Sequence, residues 1–138
     1  MTQFPDDPGA EMRELFFETS QELLQSLNDD ALKLEKSPED SEVVRSIRRT
    51  MHTLKGDAAA CGFKELSELA HKLEDALVVD SVADSGALVE LSLKASDIFS
   101  AMLSAYRQQT AMPDATAIKR MARMARLLPW LLDPDGSA

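Results

Sequence analysis

The sequence predicts an all-α protein: an antiparallel up-down four-helix bundle with an additional C-terminal fifth helix. Three observations carry that expectation. Leu, Ala, Glu, Lys and Met dominate the chain, a helix-forming set, while aromatic residues make up only 5%. Apolar residues recur at helical spacing through five segments, and strict alternation never lasts beyond a few residues. Clusters of Pro, Gly, Ser and Asp separate the segments, as short connections between antiparallel neighbours require. With 138 residues, 44% of them hydrophobic, the chain has material for one domain with a proper core and little room for a second.

Residues 1–10, with Pro5, Asp6, Asp7, Pro8 and Gly9, form a polar lead expected to be mobile. The helical domain is expected over residues 11–130. Its first helix runs from Glu11 to Glu35 on Met12, Phe16, Leu23, Leu27, Ala31 and Leu34. Ser37-Pro38-Glu39-Asp40 then stops one helix and starts the next, with Ser37 as N-cap, Pro38 as first helical residue and Asp40 as the acidic third. The second helix continues to about Cys61, and Gly62 supplies a left-handed residue for a tight turn. The third, Phe63 to about Val79, buries Leu66, Leu69, Ala70, Leu73 and Leu77. A polar link, Asp80 to Gly86, offers Asp84 and Ser85 as caps for a fourth helix over Ala87 to Gln109, with Leu88, Leu91, Ala95, Ile98, Phe99, Met102 and Tyr106 facing inward. Met112-Pro113-Asp114 breaks the chain again. The fifth helix, Ala115 to Leu128, turns Ile118, Met121, Ala122 and Ala125 inward and Lys119, Arg120, Arg123 and Arg126 outward. Pro129 is expected to end it, Trp130 to pack near the C-terminus, and residues 131–138 to be a linker.

Charge and composition narrow the function. A net charge of −9 argues against nucleic-acid binding, which needs a basic footprint. Yet four of the 15 basic residues lie between Arg45 and Lys55, a local strip suited to a compact anionic group. The single cysteine, Cys61, rules out an intramolecular disulfide and a multi-cysteine metal site, and its place on the apolar face suggests packing. No apolar run approaches the ~20 residues that span a bilayer. Met1 is followed by a polar, acidic segment instead of a basic and then apolar leader. A cytoplasmic protein or fragment, monomeric and without direct membrane insertion, is the expectation.

The most informative stretch runs from Arg48 through His52 to Phe63. On a wheel of about 100° per residue, Val43, Val44, Ile47, Met51, Leu54, Ala58 and Cys61 share one side. Arg45, Arg48, Arg49, His52, Lys55, Gly56 and Ala59 share the other. His52 therefore stands on the outward face, where a neutral imidazole is a nucleophile near pH 7. Lys55, one turn on, can neutralise an anionic group at the ring. Gly56 costs the helix about 1 kcal/mol against alanine, a cost better explained by access for a partner than by helix formation. Asp57, about 140° from His52, should leave the ring open. His52 lies ten residues before Gly62, while His71 and Glu74 lie nine and twelve after it, so across an antiparallel turn the three fall at similar heights. Glu74 could accept the N–H of one ring nitrogen and leave the other free. The same three side chains could in principle ligate zinc or iron, but their spacing matches no helical-bundle motif and Lys55 would repel a cation. No metal site is expected.

These residues resemble a known pattern. Arg49-Thr50-Met51-His52-Thr53-Leu54-Lys55-Gly56, then Gly62-Phe63 and Leu69-Ala70-His71-Lys72-Leu73-Glu74-Asp75, look like the phosphoacceptor signature of histidine phosphotransfer (HPt) domains. They are most similar to the P1 domain of CheA-type chemotaxis histidine kinases. Leu15 to Leu24 resembles the start of such a domain, and the likeness covers roughly residues 11 to 80. It implies a phosphocarrier of two-component signalling, not itself an enzyme. The outward Nε2 of His52 would take a phosphoryl group from a kinase's ATP-binding domain and pass it to an aspartate of a response-regulator receiver domain. Lys55, His71 and Glu74 would assist, and Gly56, Arg48, Arg49 and Ala59 would face the partner. No cofactor would be held stably: Mg-ATP and Mg²⁺ would come with the partners. A small residue usually follows the glycine in this family, so Asp57 departs from the pattern. A freestanding phosphorelay protein and a non-phosphorylated adaptor bundle are the alternatives.

Overall fold

Helix-ending residues punctuate the chain, and each break is followed by a helix. The computed structural model describes residues 8–77, 85–109, 113 and 115–132. Five helices run in order: α1 Pro8–Lys36, α2 Ser41–Ala60, α3 Lys64–Ala76, α4 Ser85–Gln108 and α5 Ala115–Leu132. Residues 1–7, most of the expected 80–86 link and residues 133–138 lie outside the described residues, as do the side chains of Ala125, Arg126 and Trp130.

Contacts between elements fix the topology. The Met12 carbonyl at the start of α1 lies 3.9 Å from Cys61 Sγ just past α2, while Ser46 Oγ donates to Asp30 Oδ2 at 2.5 Å near the other end. α1 and α2 are therefore antiparallel. Arg107, near the end of α4, bonds Glu14 near the start of α1 at 2.7 Å, which sets α4 antiparallel to α1 as well. α3 packs on α2, and α5 lies against both α3 and α4. The apolar stripes meet in one core that includes Leu27, Leu34, Ile47, Met51, Leu54, Leu66, Leu73, Leu88, Phe99, Met102 and Met121.

The turn between α2 and α3 is closed by backbone hydrogen bonds. Gly62 has φ +81, the left-handed conformation that glycine adopts without a Cβ penalty. Its N–H bonds the Ala59 carbonyl at 3.1 Å, and the Phe63 N–H bonds that of Ala58 at 2.9 Å, the paired bonds of a Schellman motif. Phe63 then enters an aromatic cluster, 5.3 Å from Phe16, 5.5 Å from Phe17 and stacked at 4.2 Å on Tyr106. α3 has no side-chain cap from its own N-cap residue, Phe63. Tyr106 substitutes from α4: its hydroxyl accepts the Leu66 N–H at 3.4 Å and lies at the same distance from Glu65 Oε1.

Several boundaries differ from expectation. α1 starts at Pro8 instead of Glu11, because a proline's missing N–H is no loss in a first turn. The N-cap of α2 is Asp40, not Ser37. Asp40 Oδ1 accepts the Glu42 and Val43 N–H groups at 3.1 and 3.4 Å. Ser37 instead closes α1, its N–H bonding the Lys33 carbonyl at 2.8 Å, and begins the turn that Pro38 continues. α5 runs through Pro129 to Leu132. A proline removes one ladder bond and restricts its predecessor, which makes a helix end probable on average but not obligatory. Met12, expected in the core, is 44% exposed at the open edge of α1.

The cap assignment has a direct check. Asp40→Ala should lower the unfolding free energy by about 1 kcal/mol in a urea titration, and Ser37→Ala by less than about 0.5 kcal/mol. Equal losses would return the cap to Ser37.

Candidate functional site

α2 presents a solvent-facing strip because Val43, Val44, Ile47, Met51, Leu54 and Ala58 turn its other side into the core. His52 stands on that strip with its side chain 66% exposed. The Schellman turn brings α3 back alongside, and Glu74 reaches across from it. Glu74 Oε2 lies 2.7 Å from His52 Nδ1, and Lys55 Nζ donates to Oε1 at 2.5 Å. Each carboxylate oxygen thus engages one partner. The Glu74 side chain is only 12% exposed, and Lys55 is 26% exposed.

This geometry sets protonation. Burial pushes the Glu74 carboxyl up, but the hydrogen bonds and charges of Lys55 and His52 outweigh it, leaving Glu74 below the usual carboxylate range. An ionised carboxylate only accepts, so Nδ1 must carry the proton. Nε2 then keeps its lone pair. Among the described residues nothing bonds Nε2, so the nucleophilic atom is the free one. Next to it Gly56 is exposed, and a Cβ built there would meet nothing within 4 Å. The fold itself therefore does not need the glycine; the space matters only to something that approaches from outside.

Ser67, which the sequence reasoning missed, ties the two helices beside this group. Its Oγ donates to the Lys55 carbonyl at 2.9 Å. The available signal was its spacing: Ser67 and Glu74 are seven residues apart, two turns on one face of α3. His71 was expected to join the network and does not. Its Nε2 pairs with Asp75 Oδ2 at 3.0 Å, a carboxylate one turn on along its own helix. His71 instead lines a shallow depression with Lys55, Gly56, Ala59 and Ser67. Arg48, Arg49 and Ala59 are exposed, as expected, and Asp57 is half-buried. Cys61 is partly exposed, and burial pushes its thiol up, with Asp57 adding to the shift. Among the described residues no three His, Cys, Asp or Glu side chains form a set that could hold a metal ion. Likewise, no described helix is long and apolar enough to cross a membrane.

Comparison with known proteins adds the family. The model of the Hpt domain matches residues 11–109. Chemotaxis protein CheA of Borreliella burgdorferi is 35% identical over 104 residues, 72% of this chain and 12% of the relative. Its counterpart in Klebsiella aerogenes is 32% identical over 116 residues, 82% of this chain and 18% of the relative. That of Listeria monocytogenes is 44% identical over 66 residues, 48% of this chain and 11% of the relative. The chain thus spans less than a fifth of the length of these curated relatives. In structure it resembles the phosphorylated P1 domain of CheA3, solved in complex with CheY6 from R. sphaeroides. The TM-score is 0.76 at 24% identity, with 89% of this chain and 98% of that one covered, a likeness of fold.

Two outcomes follow from the geometry alone. Glu74, depressed in the folded state, contributes stability that is present above the ordinary glutamate pKa of about 4.3 and is lost as pH falls below it. The melting temperature of the wild type should therefore fall more steeply through that acid range than that of Glu74→Gln; parallel profiles would count against the network. Gly56→Ala should raise the unfolding free energy by about 0.5–1 kcal/mol, since the position is helical, exposed and open.

Proposed function

Because this chain belongs to the Hpt domain family, we propose that His52 is its phosphoacceptor and that Nε2 is the atom that carries the phosphoryl group. One observation supports this above the others: Glu74 holds Nδ1 at 2.7 Å while the rest of the ring is left to solvent. As Nε2 bonds to phosphorus, positive charge develops on the ring. The Nδ1–H to Glu74 hydrogen bond strengthens as it does so, as the carboxylate of a catalytic triad stabilises its imidazolium. The same protonated ring later leaves phosphorus as a neutral imidazole, so one carboxylate assists both transfers. Lys55 keeps Glu74 ionised and oriented. Charge on the phosphoryl group during each transfer is matched mainly by the partner's own Mg²⁺ and positioned groups.

The domain is a phosphocarrier without turnover of its own. The donor is the ATP-binding domain of a histidine kinase, with Mg-ATP bound there. The acceptor is an aspartate of a response-regulator receiver domain. The relatives named CheA favour a P1 domain within a longer cytoplasmic chemotaxis kinase over a freestanding phosphorelay protein. Gly56, Ala59 and the shallow depression they line leave room for the active site of each partner. His71 has no transfer role in this scheme.

The test is phosphorylation by a CheA-type kinase core with Mg-ATP, followed as acid-labile, base-stable phosphate. Wild type should label and His52→Gln should not; equal labelling would remove His52 from the reaction. Gly56→Ala should fold and label more slowly, by roughly tenfold or more, since about 1.4 kcal/mol of steric cost in the complex corresponds to that factor.

A further inference from the structure

We propose that Arg48 and Arg49 are the cations that match the charge of a phosphoryl group on His52, stabilising the loaded carrier before any partner docks. The inference rests on the phosphocarrier reading of His52 and concerns a role that the Lys55 position suggested for the lysine. Lys55 is already committed, since its ammonium lies 2.5 Å from Glu74 Oε1. Drawing it onto a phosphoryl group would break its bond to Oε1 and leave Glu74, 12% exposed, with His52 as its one partner among the described residues, a loss that opposes the move. His52, Lys55 and Glu74 together are close to neutral, whereas a protein phosphoryl group carries about −1.5 to −2 near pH 7.

Unmatched positive charge is available one turn back. Arg48 and Arg49 precede His52 by four and three residues, both are exposed, and neither forms an ion pair among the described residues. Their own helix gives them no acid three or four residues away in either direction. Nearby Arg45, by contrast, is paired with Glu42. Arg48 and Arg49 stand one turn before His52 on its exposed strip, at the spacing at which helix side chains are neighbours. Their guanidinium groups suit phosphate oxygens bidentately, and neither has to leave an acid to reach them. The expected result is a carrier whose phosphoryl group stays dianionic to lower pH than a solvated one.

Phosphoramidate loads the domain without a kinase. Nε2 attacks phosphorus, the P–N bond breaks with its electron pair, and ammonia leaves. ³¹P NMR then follows the second ionisation of the His52 phosphoryl group in wild type, in Arg48→Ala/Arg49→Ala and in Arg48→Lys/Arg49→Lys. Lys55 on α2 and Glu74 on α3, the charged groups bonded into the imidazole network, are unchanged in all three. The double alanine variant should titrate about half a pH unit higher at low ionic strength, and the gap should close near 1 M salt, where the screening length is about 3 Å. The lysine variant should retain most of the wild-type shift. Circular dichroism should show equal helix content in all three, separating this role from a structural one. An unchanged midpoint in the alanine variant overturns the inference. Absence of any phosphohistidine signal in wild type overturns the reading of His52 itself, and this inference with it.

Discussion

The site depends on the register of α3 against α2, and that register is set at the Gly62 turn. Two backbone bonds close the end of α2, a single left-handed residue reverses the chain, and Phe63 locks into the aromatic cluster. Four of the seven aromatic residues, Phe16, Phe17, Phe63 and Tyr106, gather there. A slip of one residue in α3 would swing its side chains by about 100° and move them about 1.5 Å along the axis. Glu74 would then miss Nδ1. The joint lies ten residues from His52, yet it decides which nitrogen is free.

From that joint the chemistry follows by successive constraint. The carboxylate is brought out of bulk water, which alone would favour its neutral form. Two donors, one charged, reverse the preference and make it an acceptor. An obligate acceptor fixes the imidazole tautomer, and the tautomer fixes the reactive atom. Ser67 holds the backbone beside Lys55 so that the lysine reaches Oε1 from a constrained base. None of these groups needs a pocket. The working atom sits on the outside of a helix, and the interior of the bundle serves only to hold that helix still.

Much of this was legible in the sequence, for identifiable reasons. The outward place of His52 follows from the apolar spacing of α2, and its meeting with Glu74 follows from counting residues away from Gly62. What stayed hidden involved competition between near-equal partners. Ser37 and Asp40 are both competent caps, and the choice turned on which residue the preceding helix used to close itself. His71 had Glu74 at i+3 and Asp75 at i+4, and only coordinates reveal which carboxylate faces it. Lys55 has a stem long enough to reach a neighbouring helix, so a wheel that marks it outward says nothing about where its ammonium ends. Pro129 looked like a stop because one residue was weighed without the helix around it. The Tyr106 cap was invisible because it joins residues forty positions apart.

A group on the exposed side of a helix can be enclosed by only one partner's active site at a time. If His52 is the phosphoacceptor proposed above, whatever loads it and whatever unloads it take turns on the same few residues around Gly56. Traffic through such a carrier obeys ping-pong logic: an abundant donor that lingers on the face slows delivery as effectively as a scarce one. Brief occupancy, set by fast dissociation, is then a requirement of the geometry.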